Sequence, residues 1–129
     1  MAESMNTKCD LVVPGISYLG LNDYGKLMVG DKAFEFYDDR NVNNFIQIPW
    51  EEIDYIVADV VFGGRWIPRF AIETKKNGVF RFSASGRTKE VLRACRAYFP
   101  EERMRKAKSA TENVRDNLKA IFTKHKKGD

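Results

Sequence analysis

The residues of this chain that could do chemistry are few and far apart. Histidine occurs once, as His125 in a basic stretch, and cysteine twice, as Cys9 and Cys95 with no CxxC spacing. A nucleophile needs a base within hydrogen-bond reach on a rigid scaffold, and this set offers no Ser-His or Cys-His pair. One His and two distant Cys also fall short of a metal-ligand set or a disulfide framework. Carboxylates adjoin at Asp38-Asp39 and Glu51-Glu52. Neighbours along a strand point to opposite faces, which argues against an acid–base dyad. Gly63-Gly64 falls between two expected strands rather than between a strand and a helix, which disfavours a phosphate loop. The stretch Ser83-Ala84-Ser85-Gly86-Arg87-Thr88 does lead into a helix start. Free amides and Arg87 could hold a phosphate there, but an ordinary cap by Ser85 or Thr88 accounts for the same residues. The expectation is a protein that is not an enzyme and has no cofactor and no metal.

The elements that must position any functional surface are legible from periodicity. Alternating apolar residues mark strands over 10–19, 25–29, 33–37, 45–49, 53–62, 66–74 and 79–83. Pro14-Gly15 interrupts the first, which implies an edge or a bulge. Gly30-Asp31 turns one hairpin, and Asn77-Gly78 reads as a type I′ turn of another. The period then changes. Val91, Leu92, Cys95, Tyr98 and Phe99 share one helical face, and Pro100 stops the helix. Met104, Ala107, Thr111, Val114, Leu118, Ile121 and Phe122 form a narrow stripe that reads as a second helix over 101–124. The expected fold is mainly β, a bent antiparallel seven-strand partial barrel capped by one helix, with an extra C-terminal amphipathic helix. The domain spans 9–100, preceded by a flexible N-terminus at 1–8 and followed by a basic helical tail at 101–129.

Charge follows this division. Residues 1–100 hold 13 Lys+Arg and 13 Asp+Glu, whereas 101–129 hold 9 and 5, so the net +4 belongs to the tail. A neutral body argues against a nucleic-acid grip, and no specific nucleic acid is expected. Residues 1–8 lack the apolar run of a signal peptide, and no run approaches the length of a spanning helix. These features read as a cytoplasmic protein.

Two surfaces stand out. The turn 61–68 carries Phe62, Arg65, Trp66 and Ile67, with Arg69 just beyond. Trp and Arg are enriched at binding hot spots, and turns face water. The competing reading folds Trp66 back over the open end of the barrel. The tail stripe, with Val114, Leu118, Ile121 and Phe122, suits packing on the body, on another copy or in a partner's groove.

The words Gly30-Asp31-Lys32-Ala33-Phe34-Glu35-Phe36 and Ile48-Pro49-Trp50-Glu51-Glu52-Ile53 resemble GRAM-type domains of the pleckstrin-homology-like superfold. More closely, the chain resembles a family of small cytosolic proteins from Gram-positive bacteria, called ManO-like and encoded beside the mannose-family sugar phosphotransferase system. The likeness runs from Met5 to about Tyr98 and includes Ser17-Tyr18-Leu19-Gly20-Leu21, Asp23-Tyr24-Gly25-Lys26 and Phe62-Gly63-Gly64-Arg65-Trp66-Ile67-Pro68-Arg69. The resemblance implies a non-enzymatic regulator that binds the mannose-family permease, its membrane EIIC and EIID components, at the inner face of the cell membrane and modulates sugar uptake, with inhibition the expected direction and activation left open. It implies no phosphoinositide site, because the basic loop of eukaryotic relatives has no counterpart. Two alternatives stay open: a transcriptional regulator of the operon, and a membrane-surface lipid adaptor.

Overall fold

A computed structural model of the protein describes residues 3–19 and 21–108. Eight strands follow one another: β1 (Cys9–Ser17), β2 (Asp23–Gly30), β3 (Ala33–Asp38), β4 (Phe45–Pro49), β5 (Ile53–Val61), β6 (Trp66–Thr74), β7 (Val79–Ser83) and β8 (Met104–Lys108). One helix, α1 (Thr88–Cys95), lies between β7 and β8. The strands form a single sheet in the order β4-β3-β2-β1-β7-β6-β5-β8. The sheet bends where β1 meets β7 through only two residue pairs, Ile16 with Ser83 and Ser17 with Phe82. It does not close, because β4 and β8 form its two edges. This is the partial barrel with one capping helix expected from the periodicity, with an eighth strand added.

The bend explains the Pro-Gly step in β1. Pro14 lies opposite Lys26 of β2, beyond the short β7 pairing, so its missing N–H deprives no neighbour. At Gly15 any Cβ would collide with the Ser83 carbonyl and the Leu27 side chain, so the corner requires glycine. A bulge between Cys9 and Leu11 adds twist.

Inside the bend lies an aromatic core. Phe34 packs edge-on against Phe70, with centroids 5.7 Å apart, and tilted against Phe82 at 5.0 Å. Leu27, Ile56, Ile72 and Val29 surround them. The helix seals this core with Val91, Leu92 and Cys95. Each such side chain contributes about 1.5–3 kcal/mol of transfer free energy. Trp50 extends the core, stacked on Tyr98 at 5.8 Å and donating from Nε1 to the Gly30 carbonyl at 2.9 Å.

Several expectations are corrected. The helix expected from residue 101 begins as a short 3-10 turn (Glu101–Arg103) and then becomes β8, which pairs in parallel with β5. The ladder supplies the reason: β5 has an open edge, and Arg103 pins the incoming chain there by donating to the Asp54 carboxylate at 2.9 Å and the Ile53 carbonyl at 3.3 Å. The remainder of the expected helix lies outside the described residues. The Asn77-Gly78 turn is not type I′, since Gly78 has φ 82° but Asn77 has no positive φ. Thr74 closes a longer loop instead, its N–H and Oγ1 both donating to the Gly78 carbonyl, at 3.0 and 2.7 Å. Neither Ser85 nor Thr88 caps α1: Arg87 occupies that position without a side-chain bond, and Thr88 is buried.

The N-terminal segment, expected to be loose, is clasped against β3. The Glu35 carboxylate accepts from Ser4 Oγ, from the Met5 N–H at 2.9 Å, from Asn6 Nδ2 at 2.8 Å and from Tyr37 Oη at 2.8 Å. Asn6 Oδ1 in turn accepts from the Lys32 and Ala33 amides, both at 2.8 Å. This cover buries the Ala33 and Glu35 face of β3, with Glu35 at 0% exposure, while Phe34 and Phe36 are buried in the core on the other face.

Candidate functional site

The β5–β6 hairpin projects its tip into solvent through three successive left-handed residues, Phe62 (φ 53°), Gly63 (φ 65°) and Gly64 (φ 90°). Two glycines adopt this conformation without strain. Phe62 does so against its Cβ, and such strain clusters at functional sites. The tip closes with the Arg65 N–H donating to the Phe62 carbonyl at 3.3 Å. A register shift between Asp59 and Val61 twists the hairpin just before the turn.

The turn leaves Phe62 60% exposed and Trp66 52% exposed, with Arg65 also in solvent. Trp66 pairs with Val61 at the end of the ladder and does not fold over the barrel. Ile67, read from the sequence as a contact residue, is instead part of the core at 9% exposure and supports the tip from below. Strict alternation from Phe70 and Ile72 would send Pro68 inward, but the bulge opposite Asp59–Val61 adds a residue to β6 and turns Ile67 inward instead. Arg69 is exposed but engaged. It lies across the sheet from Asp59 and its guanidinium sits over the Tyr18 ring at 5.9 Å. Partial burial raises the Asp59 carboxyl above its ordinary pKa, with Arg69 and Arg81 opposing the shift. Val114, Leu118, Ile121 and Phe122 lie outside the described residues, as does His125.

The other chemical candidates are occupied structurally. Asp38 accepts from the Arg40 and Asn41 amides and from Asn44 Nδ2, which lowers its pKa and holds the 38–44 loop. Asp39 pairs with Lys26 at 3.0 Å. Arg87 pairs with Glu90. Cys95 is buried among apolar groups, which pushes its thiol up to about 12. Among the described residues no three His, Cys, Asp or Glu gather as a metal group would require. No described helix is long and apolar enough to cross a membrane.

Behind the tip lies a feature that strand-by-strand reading misses. A cleft of about 360 Å³ opens between α1 and the β5–β8 edge, with Gly64 and Ile67 in its lining. Lys89, Arg93 and Arg96 line it at positions i, i+4 and i+7 of the helical segment, and Lys106 faces them from β8. The helical spacing was present in the sequence; the opposing strand was not, because that stretch reads as helix.

Fold and surface together define a mainly β partial barrel with one capping helix and an exposed aromatic tip. The chain belongs to the family described as Domain of unknown function (DUF956), whose model matches residues 1–118. It is also similar in fold to the crystal structure of the C-terminal domain of an unknown protein from Leishmania infantum. The TM-score is 0.58 at 12% identity, over 69% of this chain and 82% of that one. No curated protein matches the chain in sequence.

Proposed function

We propose that this chain is a non-catalytic regulatory module. It binds the mannose-family phosphotransferase permease at the inner membrane face and lowers sugar uptake, with the β5–β6 tip as its contact surface. The observation that carries the binding role is the outward pair Phe62 and Trp66, set on a strained left-handed turn beside Arg65. Large aromatic and Arg side chains dominate binding energy when a partner desolvates them. The partner's identity rests on the sequence resemblance alone.

Trp66→Asp tests the contact without touching the core, because Trp66 is half exposed. Tagged protein should capture the permease from detergent-solubilised membranes, and the variant should lose that capture while keeping its melting temperature within a few degrees. Equal capture by the variant refutes the tip as the contact. A lipid-surface adaptor is a second reading, favoured by the same Trp66 and Arg65, since Trp beside a cation suits the headgroup level. Sedimentation with protein-free anionic vesicles separates the two, because only the lipid reading requires binding there.

A further inference from the structure

We infer that the cleft between α1 and β8 is a binding site for a phosphomonoester carried on a compact apolar body. Its floor is apolar, built from Ile67, Leu92 and Met104. Its rim is cationic: Lys89, Arg93 and Arg96 from the helical segment and Lys106 from the strand opposite, with Arg105 also in the lining but stacked over Tyr55 at 3.8 Å. The lining contains one carboxylate, Glu101, which reaches only Arg96, at 3.9 Å. Lys89, Arg93 and Lys106 have no carboxylate partner among the described residues.

Charge repulsion along the helix and the geometry of the guanidinium groups together define a ligand class. Like charges at i and i+4 on a helix repel, so Lys89 and Arg93 on one row are unfavourable without a counter-ion. The body up to residue 100 is neutral in sum, so this concentration of positive charge is local. Guanidinium forks grip phosphate oxygens bidentately, and two of them with flanking ammonium groups suit a dianion better than a single carboxylate. The volume lies at the lower end of the range of small-molecule pockets, and an apolar floor under a charged rim selects a ligand with both characters. The β8 pairing is essential, because it carries Lys106 across from the helix and makes a cleft of what would otherwise be an open helix face.

The test is calorimetric titration of the full chain with four probes: phenyl phosphate, inorganic phosphate, phenol, and vesicles containing phosphatidic acid. Phenyl phosphate should bind, inorganic phosphate should bind at least about tenfold more weakly, and phenol should not bind. Arg93→Ala should weaken phenyl phosphate about tenfold or more. Lys106→Glu, on a different element, should abolish binding. Both positions are exposed, so each variant should keep the fold, which circular dichroism checks. Trp66→Asp should bind phenyl phosphate normally, which separates this site from the tip. Binding to phosphatidic acid vesicles but not to phenyl phosphate, if lost in both cleft variants, assigns the same chemistry to a lipid headgroup. No binding of either phosphomonoester, or binding unchanged in both cleft variants, overturns the inference. So does inorganic phosphate binding as tightly as phenyl phosphate.

Discussion

Replacing Glu35 by Ala should destabilise the protein by about 2–4 kcal/mol and release the N-terminal segment. Glu35 has no exposed surface, and its carboxylate accepts four hydrogen bonds from Ser4, Met5, Asn6 and Tyr37. A hydrogen bond to a charged group is worth about 1.5–3 kcal/mol, so the gross loss is roughly 6–12 kcal/mol. Two effects reduce it. The freed donors on residues 4–6 find water once the segment lifts, and each released residue regains about 1–2 kcal/mol of conformational freedom. The remainder should appear in urea unfolding as a midpoint lowered by about 1–2 M, given a mid-range slope of about 2 kcal/mol/M for a small domain. Hydrogen exchange should locate it, with the Met5 and Lys32 amides losing protection before the β5–β6 ladder does. A midpoint shift under about 0.3 M, with the Met5 amide still protected, would show that the clasp contributes little.

A neighbouring clasp is sensitive to acid. Asp31 accepts from Thr7 Oγ1 first and then from the Lys8 and Thr7 amides, which lowers its carboxyl to about 2 from an ordinary 3.8. A depressed carboxylate stabilises above its unfolded pKa and loses that contribution as pH falls through the folded one. Protection of the Thr7 and Lys8 amides should therefore fall between about pH 4 and pH 2, and Asp31→Asn should flatten that dependence. The two thiols should differ in reactivity. Cys95 is fully buried with its pKa near 12, so a thiol reagent should label it only as fast as the protein unfolds. Cys9 is exposed but raised by partial burial and by the Glu35, Asp31 and Asp10 carboxylates. It should react in the folded protein more slowly than a free cysteine, and rapid native labelling of both thiols would contradict this packing.

Seven of the eight strands were legible because most of their apolar residues alternate and because Gly-containing turns or a polar or acidic corner separate them. The face of α1 was legible for the same reason at a period near 3.6. Phe62 and Trp66 stood out at the tip because large aromatics beside a glycine turn have few ways to be buried. Ile67, read from the sequence as a contact residue, was misplaced because the bulge near Asp59 shifts the phase of β6, and local periodicity does not show that shift.

What the chain by itself determined is its local grammar: short strands, tight turns and one sealing helix. What only the tertiary structure decided is pairing between distant segments. Met104 to Lys108 could satisfy a helical stripe or a strand, and the open edge of β5 settled it by offering backbone partners. Alternation with Phe34 and Phe36 places Glu35 on the opposite face of β3, and only residues 4–6, from the start of the chain, cover it there. Hydrogen-bond partners and opposing charges supplied from far along the chain leave no trace in local periodicity, which is why the clasp and the cationic cleft emerge only when the sheet is assembled.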